Sequence, residues 1–471
     1  MVRPTPSVGG VGTLTDTQNR LRAELPALLE KYDVPAAAWA VLKDGEVVEG
    51  AAGVLHRGTG VEATTDSVFQ IGSITKLWTA TLVMQLVDEG EVDLDVPFRT
   101  YLPDFRIGDE DAAARITTRM LLTHTAGFEG DIFTDTGVGD DCIEKFVGVL
   151  HDVPQLFLPG ELWSYNNAGY SLLGRMVEVL RGKSYDECLR DHIFTPLALT
   201  HAAPTPYEAI MFRAAMGHVQ HEPGGRYEPA PIWGMVRSNA PAGSLLSMTA
   251  RDLITFARMH LEDGKAQDGT QVLAPGTAAR MLEAQVELPY LGVLGTSWGL
   301  GFERYDLEEG VLAGHDGNTI GQNAYLRFVP GTGVAVALLT NGGDAIELYH
   351  DVAGSVLAEL TDVRMPALPA PPAEPERIDA SRFEGTYSTQ NVDLTVSQDE
   401  DGRIWADQVP KSELAEELGA EAERRELVHF EGDSLINLEP IQGMHIPHVF
   451  LGDDGDGHAQ YLHIGRAVRR V

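Results

Sequence analysis

The segment Val68–Val87 constrains the fold more than any other, because almost all of its bulky side chains are apolar. These large apolar residues include Leu77, Trp78, Leu82, Val83, Met84 and Leu86. A helix that is apolar on most faces has no side to present to water and is buried inside a domain. The sequence therefore predicts a central helix surrounded by other elements, and Ser73 lies near its start.

A proline-rich segment marks the clearest domain boundary. Residues 364–376 contain Pro366, Pro369, Pro371, Pro372 and Pro375. Proline lacks the N–H that a helix interior needs, so this run favours stiff, extended chain. The chain has 471 residues, and a domain usually holds roughly 100–200. We therefore expect a flexible N-terminus over 1–16, a large domain over 17–363, a linker over 364–376 and a β-rich domain over 377–471.

Hydrophobic periodicity gives the large domain a mixed α/β character. The runs Ala36–Leu42 and Glu46–Ala52 flank Asp44-Gly45, and Asp-Gly between two apolar runs is typical of a β-hairpin. Helices are predicted at Asp16–Lys31, Met120–Leu122, Glu144–Leu150, Tyr170–Arg181, Ala250–Leu261 and Glu347–Leu360, and strands at Tyr325–Val329 and Val334–Leu339. Beyond the linker, Val392–Val396, Leu427–Phe430 and His448–Leu451 predict a small sheet or barrel.

The charge of the chain excludes several classes of partner. Lys and Arg total 35 and Asp and Glu total 70, which gives a formal charge of −35. A surface this acidic repels nucleic acid. No apolar run reaches the ~18 residues of a membrane span, and Met1–Thr15 lacks the basic-then-apolar pattern of a secretory signal. We expect a cytoplasmic protein that binds neither nucleic acid nor membranes. The acidic residues around Glu413–Glu426 predict a solvated face.

Ser73 is the one serine followed by a lysine three positions later, in Ser73-Ile74-Thr75-Lys76. Positions i and i+3 share a helix face, so the amine can lie beside the hydroxyl. A serine attacks a carbonyl only when a neighbour takes its proton, and burial can lower the pKa of a lysine enough for that task. Taken alone, the tetrad fits an exposed lysine on an ordinary helix equally well.

Two further motifs carry groups that fit the same chemistry. Tyr165-Asn166-Asn167 precedes a predicted helix; a phenol can relay a proton, and an amide can hold a substrate carbonyl. The segment Gly314–Asn318 enters a strand-rich region, where glycine lets a substrate approach backbone N–H groups that bind an oxyanion. Together, the three motifs predict nucleophilic catalysis by a serine.

In the order and spacing of these motifs, the sequence resembles the serine β-lactamase and penicillin-binding-protein superfamily. The resemblance is closest to class C β-lactamases, family VIII esterases and D-aminopeptidases, and it covers roughly residues 16–360. Supporting stretches are Leu121–Phe128, Ala242–Ser247 and Trp298–Phe302. The resemblance implies an α/β fold in which an antiparallel sheet flanked by helices packs against an all-helical subdomain. Phe383–Tyr387 resembles the opening of lipocalin-like barrels appended to related hydrolases.

The resemblance also implies roles for individual residues. Ser73 is expected to be the nucleophile, Lys76 its base or electrostatic partner, and Tyr165 the proton relay to the leaving group. Asn167 is expected to orient the substrate. The backbone N–H groups of Ser73 and Asn318 are expected to bind the oxyanion. No cofactor is implied.

One position departs from the β-lactamase pattern. His315 stands where β-lactamases usually carry the lysine of Lys-Thr-Gly, and His315 and Gly317 are expected to belong to the substrate-binding or oxyanion site. A neutral histidine attracts the carboxylate of a penicillin-type substrate less strongly than a lysine does, and Asp316 adds a negative charge beside it. Histidine at this place is common among the esterases and peptidases of the superfamily, so β-lactams are not the expected substrate.

Other residues are given a structural interpretation or a smaller role. His218 with His221, and His445 with His448, have metal-like spacing but lack a third ligand, so no metal site is predicted. His124 is expected to be a structural hydrogen-bonding group. Most tryptophans serve packing; for Trp163 and Trp233 a place in the wall of the substrate cleft is the alternative to packing.

The predicted function is hydrolysis of small carboxylic esters through an acyl-enzyme on Ser73. The alternatives are a D-amino-acid-specific peptidase or amidase, a weak β-lactamase, a transacylase that uses an acceptor other than water, and a non-catalytic penicillin-binding protein. The expected partner is a small ester or peptide substrate, with assembly into a homo-oligomer left open.

Overall fold

A computed structural model describes residues 12–222, 224–411, 421–441 and 443–471. Residues 1–11 of the predicted flexible N-terminus and residues 413–420 of the acidic stretch lie outside the described residues. Within the described ranges the α-helices are α1 Leu14–Lys31, α2 Thr75–Asp88, α3 Glu110–Ala113, α4 Thr118–Leu122, α5 Cys142–Val149, α6 Asn167–Arg181, α7 Tyr185–Leu189, α8 Pro206–Ala209, α9 Ala250–Leu261, α10 Thr277–Met281 and α11 Ala345–Leu360.

The strands before the proline-rich segment are β1 Ala36–Lys43, β2 Glu46–His56, β3 Val61–Glu62, β4 Ser67–Gln70, β5 Arg213–Ala214, β6 His218–Val219, β7 Glu228–Pro229, β8 Ser247–Met248, β9 Val286–Glu287, β10 Ser297–Trp298, β11 Glu303–Leu307, β12 Gly310–Asn318, β13 Asn323–Val329 and β14 Val334–Thr340. Those after it are β15 Gly385–Ser388, β16 Val392–Gln398, β17 Ile404–Pro410, β18 Glu423–His429, β19 Ser434–Asn437, β20 Pro447–Leu451, β21 Tyr461–His463 and β22 Ala467–Arg470.

A nine-stranded antiparallel sheet forms the framework of the large domain, in the order β3-β2-β1-β14-β13-β12-β11-β10-β9. The predicted hairpin joins β1 to β2, with Asp44 and Gly45 at φ +50° and +84°. Positive φ at both turn positions gives the twist that a two-residue hairpin needs. The α/β fold with an antiparallel sheet and flanking helices is confirmed.

Both faces of the sheet are covered. Along β1, Ala36, Ala38 and Ala40 pack toward α9, while Trp39 and Val41 pack toward α1 and α11. Side chains alternate between the faces of a strand, so two buried faces require an apolar residue at every position. This requirement explains the unbroken apolar run in the β1 sequence.

The central helix predicted from Val68–Val87 is α2, preceded by a 3₁₀ turn at Gly72–Ile74. Every residue from Thr75 to Leu86 is buried, including the charged Lys76. The helix lies against α6 and the 3₁₀ segment Arg237–Ala242. The 3₁₀ turn that carries Ser73 also contacts β12, so Ser73 lies between the sheet and these helices.

The β-rich C-terminal region is a closed eight-stranded antiparallel barrel, β15 to β22. Residues 361–384, all of them described, form neither helix nor strand. The barrel packs on the loop before α6: Tyr165 N–H donates to the Gly465 carbonyl at 3.1 Å, and His463 Nε2 donates to the Trp163 carbonyl at 2.8 Å. The division of the chain into the predicted ranges 17–363, 364–376 and 377–471 remains our proposal.

Residues 12–16, at the end of the predicted N-terminal segment, contact the rest of the large domain. Thr13 caps α1 by accepting a hydrogen bond from Asp16 N–H, and Gly12 N–H donates to the Glu359 carbonyl. These contacts fix the start of the helix at Leu14. Among the described residues, no helix has both the length and the apolar character to cross a membrane.

Candidate active site

The amine of Lys76 lies beside the hydroxyl of Ser73, as the three-residue spacing predicts. Lys76 Nζ is 3.0 Å from Ser73 Oγ, 2.7 Å from Asn167 Oδ1 and 2.6 Å from the Ala242 carbonyl oxygen. The side chain of Lys76 is fully buried. The alternative of an exposed lysine on an ordinary helix is therefore excluded.

Burial lowers the pKa of Lys76 well below its usual value, and the positive charge of Arg466 lowers it further. A neutral amine carries two hydrogens and one lone pair. The Asn167 and Ala242 oxygens can take the two hydrogens, which leaves the lone pair for the proton of Ser73. After that transfer, the ammonium has three acceptors. The site therefore satisfies both protonation states that a general base must adopt.

Tyr165 lies in the loop before α6 and is buried against the same amine. Its ring centre is 4.8 Å from Lys76 Nζ. Burial raises the pKa of the Tyr165 phenol, and a hydrogen bond with Ser73 opposes this effect only in part. The phenol therefore stays neutral near pH 7, which suits a relay that both gives and takes a proton rather than a phenolate base.

Asn167 is the first residue of α6, and its neighbours fix the start of that helix. The side chain of Asn166 accepts a hydrogen bond from Gly169 N–H, and Asn166 N–H donates to His124 Nδ1 at 3.0 Å. His124 is fully buried, and its ring stacks 4.4 Å from that of Tyr165. His124 thus has the structural contacts that the sequence led us to expect.

The backbone of β12 touches the turn that carries Ser73. A Cβ at Gly317 would lie 2.0 Å from the Ile71 carbonyl oxygen and 2.9 Å from Ser73 N. A Cβ at Gly72, which has φ +52°, would lie 2.5 Å from Asn318 N. Only glycine permits so close an approach at these two positions. The contact brings the N–H groups of Ser73 and Asn318 to the same end of the cleft.

Gly317→Ala is expected to reduce hydrolysis by roughly 10²–10³-fold, the usual effect of losing an oxyanion donor. The added methyl group collides with a backbone carbonyl, so β12 must move away from Ser73. Steady-state kinetics would measure the loss. Gly148→Ala in α5 is the control, because a Cβ there meets nothing within 4 Å. Equal activity of the two variants would contradict the proposed role of this contact.

His315 is buried and neutral. Burial lowers its pKa to about 3, with a further contribution from the nearby Lys76. Its Nδ1 donates to the Asp316 carbonyl, so Nε2 carries a lone pair. Nε2 is buried and contacts no hydrogen-bonding partner among the described residues. His315 therefore supplies an acceptor at the cleft, and not the positive charge of a lysine.

A buried ion cluster behind His315 was not found by sequence reasoning. Arg327 Nη2 lies 3.0 Å from Glu303 Oε2 and 2.7 Å from Asp316 Oδ1. Burial raises the pKa of Asp316 to about 6, although the Arg327 charge acts in the opposite direction. Glu303 also accepts from Asp316 N–H, which fixes the strand that carries His315. An arginine inside the apolar strand 325–329 was the available signal.

Arg327→Met should lower the free energy of unfolding by about 3–5 kcal/mol, because it leaves two carboxylates without their shared cation in a buried place. Urea denaturation followed by tryptophan fluorescence would measure this. Arg424→Met removes an exposed ion pair with Asp407 and should cost less than about 1 kcal/mol. The prediction is wrong if the two variants lose similar stability.

Two further charged residues of the cleft were also missed. Asp131 belongs to the loop between α4 and α5, and Arg466 to the turn between β21 and β22 of the barrel. Arg466 Nε is 2.9 Å from Asp131 Oδ2, and the guanidinium lies 4.7 Å from the Tyr165 ring centre. No periodicity or spacing in the sequence joins positions so far apart.

The cleft has a volume of about 470 Å³. The predicted residues that line it are Ser73, Tyr165, Asn167, His315, Gly317 and Asn318, and Asp131, Glu303, Asp316 and Arg466 join them. Through Arg466, the C-terminal barrel therefore forms part of the wall of this cleft.

Trp163 and Trp233, the suggested wall residues, are not among the described residues that line this cleft. Trp163 is 3 % exposed and packs between Trp298 and the barrel residue His463. Trp233 turns its ring nitrogen to the Ala215 carbonyl at 2.8 Å.

Three of the four histidines in the two pairs, His218, His445 and His448, have structural partners. His218 Nδ1 donates to the Asn341 carbonyl, while its Nε2 accepts from Arg57 N–H. His445 and His448 each contact a backbone carbonyl in the barrel. In the part of the chain that the structure describes, no group of three or more His, Cys, Asp or Glu is arranged to hold a metal.

Comparison with known proteins places this geometry in context. The beta-lactamase family model matches residues 21–358. Penicillin-binding protein 4 of Amycolatopsis lactamdurans is 50% identical over 366 residues, which cover 77% of this chain and 96% of that protein.

Solved protein structures have a similar fold. SurE superposes with a TM-score of 0.78 at 28% identity, over 98% of this chain and 100% of that chain, and has also been solved with D-Leu. The D-amino acid amidase of Ochrobactrum anthropi SV3, solved with L-phenylalanine amide, gives a TM-score of 0.61 at 25% identity over 73% of this chain and 98% of that one.

Proposed function

The chain belongs to the beta-lactamase family, and from this premise we propose that it hydrolyses small carboxylic esters through an acyl-enzyme on Ser73. The observation that carries the proposal is the fully buried Lys76 amine 3.0 Å from Ser73 Oγ, with two further acceptors for its hydrogens. That arrangement makes a serine nucleophilic near neutral pH.

In the first step, the lone pair of Lys76 takes the Ser73 proton while Oγ forms a bond to the substrate carbonyl carbon. The carbonyl oxygen becomes an oxyanion between the N–H groups of Ser73 and Asn318. When the oxyanion re-forms the carbonyl, the bond between the carbonyl carbon and the oxygen of the leaving alcohol breaks. Tyr165 gives the alcohol its proton and regains one from the Lys76 ammonium. The products of this half-reaction are the acyl-enzyme and the free alcohol.

In the second step, water attacks the acyl-enzyme and gives its proton to the neutral amine of Lys76, directly or through Tyr165. Collapse of the second tetrahedral intermediate breaks the bond to Ser73 Oγ, which regains its proton from the Lys76 ammonium. The carboxylic acid leaves, and the site returns to its starting protonation.

Esters are the first choice because an alcohol leaves more readily than an amine. Amides or peptides of D-amino acids are the second candidate, favoured by the likeness to the D-amino acid amidase and to SurE, which has been solved with D-Leu. His315 is neutral, so it does not supply the positive charge that a lysine offers to the carboxylate of a β-lactam. A cytoplasmic location, a transacylase reaction and assembly into a homo-oligomer remain further hypotheses.

The test is to incubate the protein with a fluorophosphonate and, separately, with a short-chain p-nitrophenyl ester. We expect an adduct that intact mass and peptide mapping place on Ser73, together with release of p-nitrophenol. D- and L-phenylalanine amides, assayed in parallel, separate the two candidates. No adduct and no turnover would instead indicate a non-catalytic binding protein.

A further inference from the structure

A continuous chain of polar contacts leads from the barrel to the catalytic lysine. Arg466 Nε and Nη2 lie 2.9 and 3.3 Å from the two carboxylate oxygens of Asp131. Asp131 Oδ1 accepts from Asn167 Nδ2 at 2.7 Å, and Asn167 Oδ1 accepts from Lys76 Nζ at 2.7 Å. A turn of the barrel, the loop that carries Asp131 and the helices α6 and α2 are therefore linked by this chain of contacts.

The Asn167 amide has two unlike ends, and Asp131 determines which of them faces Lys76. An ionised carboxylate can only accept hydrogen bonds, so it attracts the amide NH₂ group. The amide oxygen is then directed at Lys76, whose amine needs an acceptor. With the amide reversed, its oxygen would face the carboxylate and its NH₂ group would face the hydrogens of the amine. Both of those contacts are unfavourable.

The barrel holds Asp131 at two points. Besides the ion pair with Arg466, Asn391 Nδ2 donates to the backbone carbonyl of Asp131 at 2.8 Å. Asn391 lies in the turn between β15 and β16, and Arg466 in the turn between β21 and β22. Both turns are at the same end of the closed barrel, because β15 pairs with β22.

We propose that Asp131 is a positioning residue that orients Asn167 toward Lys76, and that Arg466 of the barrel holds Asp131 in place. This inference rests on the proposed function. It makes the barrel part of the catalytic machinery, because the contacts that orient the base are complete only when the barrel is docked. Neither residue forms a bond to the substrate in this role.

The two residues have opposite electrostatic effects on the lysine. Arg466 lowers the pKa of Lys76, and Asp131 raises it. The other titratable groups around the amine are Tyr165, Tyr170, His124, His315 and Glu303. Burial keeps the two tyrosines and the two histidines neutral near pH 7, and Arg327 pairs with Glu303. Charge changes at Asp131 and Arg466 should therefore register at Lys76.

The experiment compares the pH dependence of kcat/KM for the ester in the full-length protein, Asp131→Asn and Arg466→Gln. The free amine is the active form, so activity falls as pH drops through the pKa of Lys76. Arg466→Gln removes a charge that opposes protonation and should move this acid limb to higher pH. Asp131→Asn should move it to lower pH. Both should reduce kcat/KM at the optimum by roughly 10–100-fold, since orientation at the reacting centre is lost.

Two controls separate positioning from folding. Arg469→Gln makes the same charge change on the exposed side of β22 and should leave the pH profile unchanged. Arg466→Lys keeps the positive charge and should return the acid limb close to its original position. Thermal melts confirm that each variant is folded. The experiment measures the direction in which the acid limb shifts along the pH axis, as well as the rate. General loss of structure would lower the rate but would not shift the acid limb in opposite directions in the two variants.

The pH dependence of Ser73 labelling by the fluorophosphonate provides a readout that does not depend on the choice of ester. If the unmodified protein gives no Ser73 adduct, the proposed function fails and this inference fails with it. If the unmodified protein is labelled, but both variants keep its acid limb or shift it in the same direction, only the positioning role is overturned. Shifts of the acid limb in opposite directions in the two variants support the positioning role.

Discussion

Ser73→Ala should lower kcat/KM for a p-nitrophenyl ester by roughly 10⁴-fold or more, the usual result of removing a serine nucleophile. The hydroxyl is the only atom group lost, and the 3₁₀ turn that carries it is built from backbone contacts. The remaining backbone donors can still polarise a carbonyl, so a small residual rate over water is expected. Steady-state kinetics and intact mass after fluorophosphonate treatment would measure both effects.

Ser381→Ala is the matched control, because Ser381 is an exposed serine of the barrel region. It should retain full turnover and full labelling. A Ser73→Ala protein that still forms an adduct would place the nucleophile elsewhere, and the catalytic roles assigned to Lys76 and Tyr165 would be wrong with it.

Lys76→Arg and Lys76→Met should each lower kcat/KM by roughly 10²–10⁴-fold, the range for loss of a general base. Arginine keeps a positive charge but cannot give up its proton at any working pH. Methionine keeps the length of the side chain and removes the amine altogether. If Lys76 is the base, both substitutions abolish its function. If Lys76 acts only through its charge, Lys76→Arg should retain most of the activity, which would contradict the base assignment.

The assignment of Lys76 as the general base also predicts the direction in which the rate of hydrolysis changes with pH. Burial lowers the pKa of Lys76, so the free amine predominates above that lowered value. Hydrolysis by the unmodified protein should therefore persist into neutral solution and decline as the pH falls. His315, with a pKa of about 3, stays neutral over this range and should not contribute a limb of its own near neutrality. A profile in which activity rises on acidification would exclude the neutral lysine as base.

The parts of the fold that depend on local sequence could be predicted. The helix over Val68–Val87 had to be buried because it has no polar face, and α2 is buried along almost its full length. The Asp44-Gly45 hairpin and the helix Ala250–Leu261 follow from turn chemistry and helical periodicity in the same way. Ser73 and Lys76 meet because three residues make nearly one turn, a spacing that any helix enforces.

Long-range contacts decided the rest. The roles of Tyr165, Asn167 and Asn318 were implied by resemblance, while the buried cluster around Arg327 gave only the weak signal of a charge in an apolar strand. Composition alone does not locate Trp163. An indole near a motif can line a cleft or pack at a domain interface, and the position of the barrel places Trp163 at the interface, against His463.

Local sequence is enough to specify a buried helix that carries a serine and a lysine on one face, because helix geometry and hydrophobic burial act between near neighbours in the chain. The environment of that lysine depends on contacts between distant parts of the chain. Asp131 and Arg466 lie 335 positions apart, and their meeting depends on how a closed barrel packs against a separate domain. The charges of Asp131 and Arg466 act on the pKa of Lys76 in the folded protein, and no local sequence pattern encodes their positions.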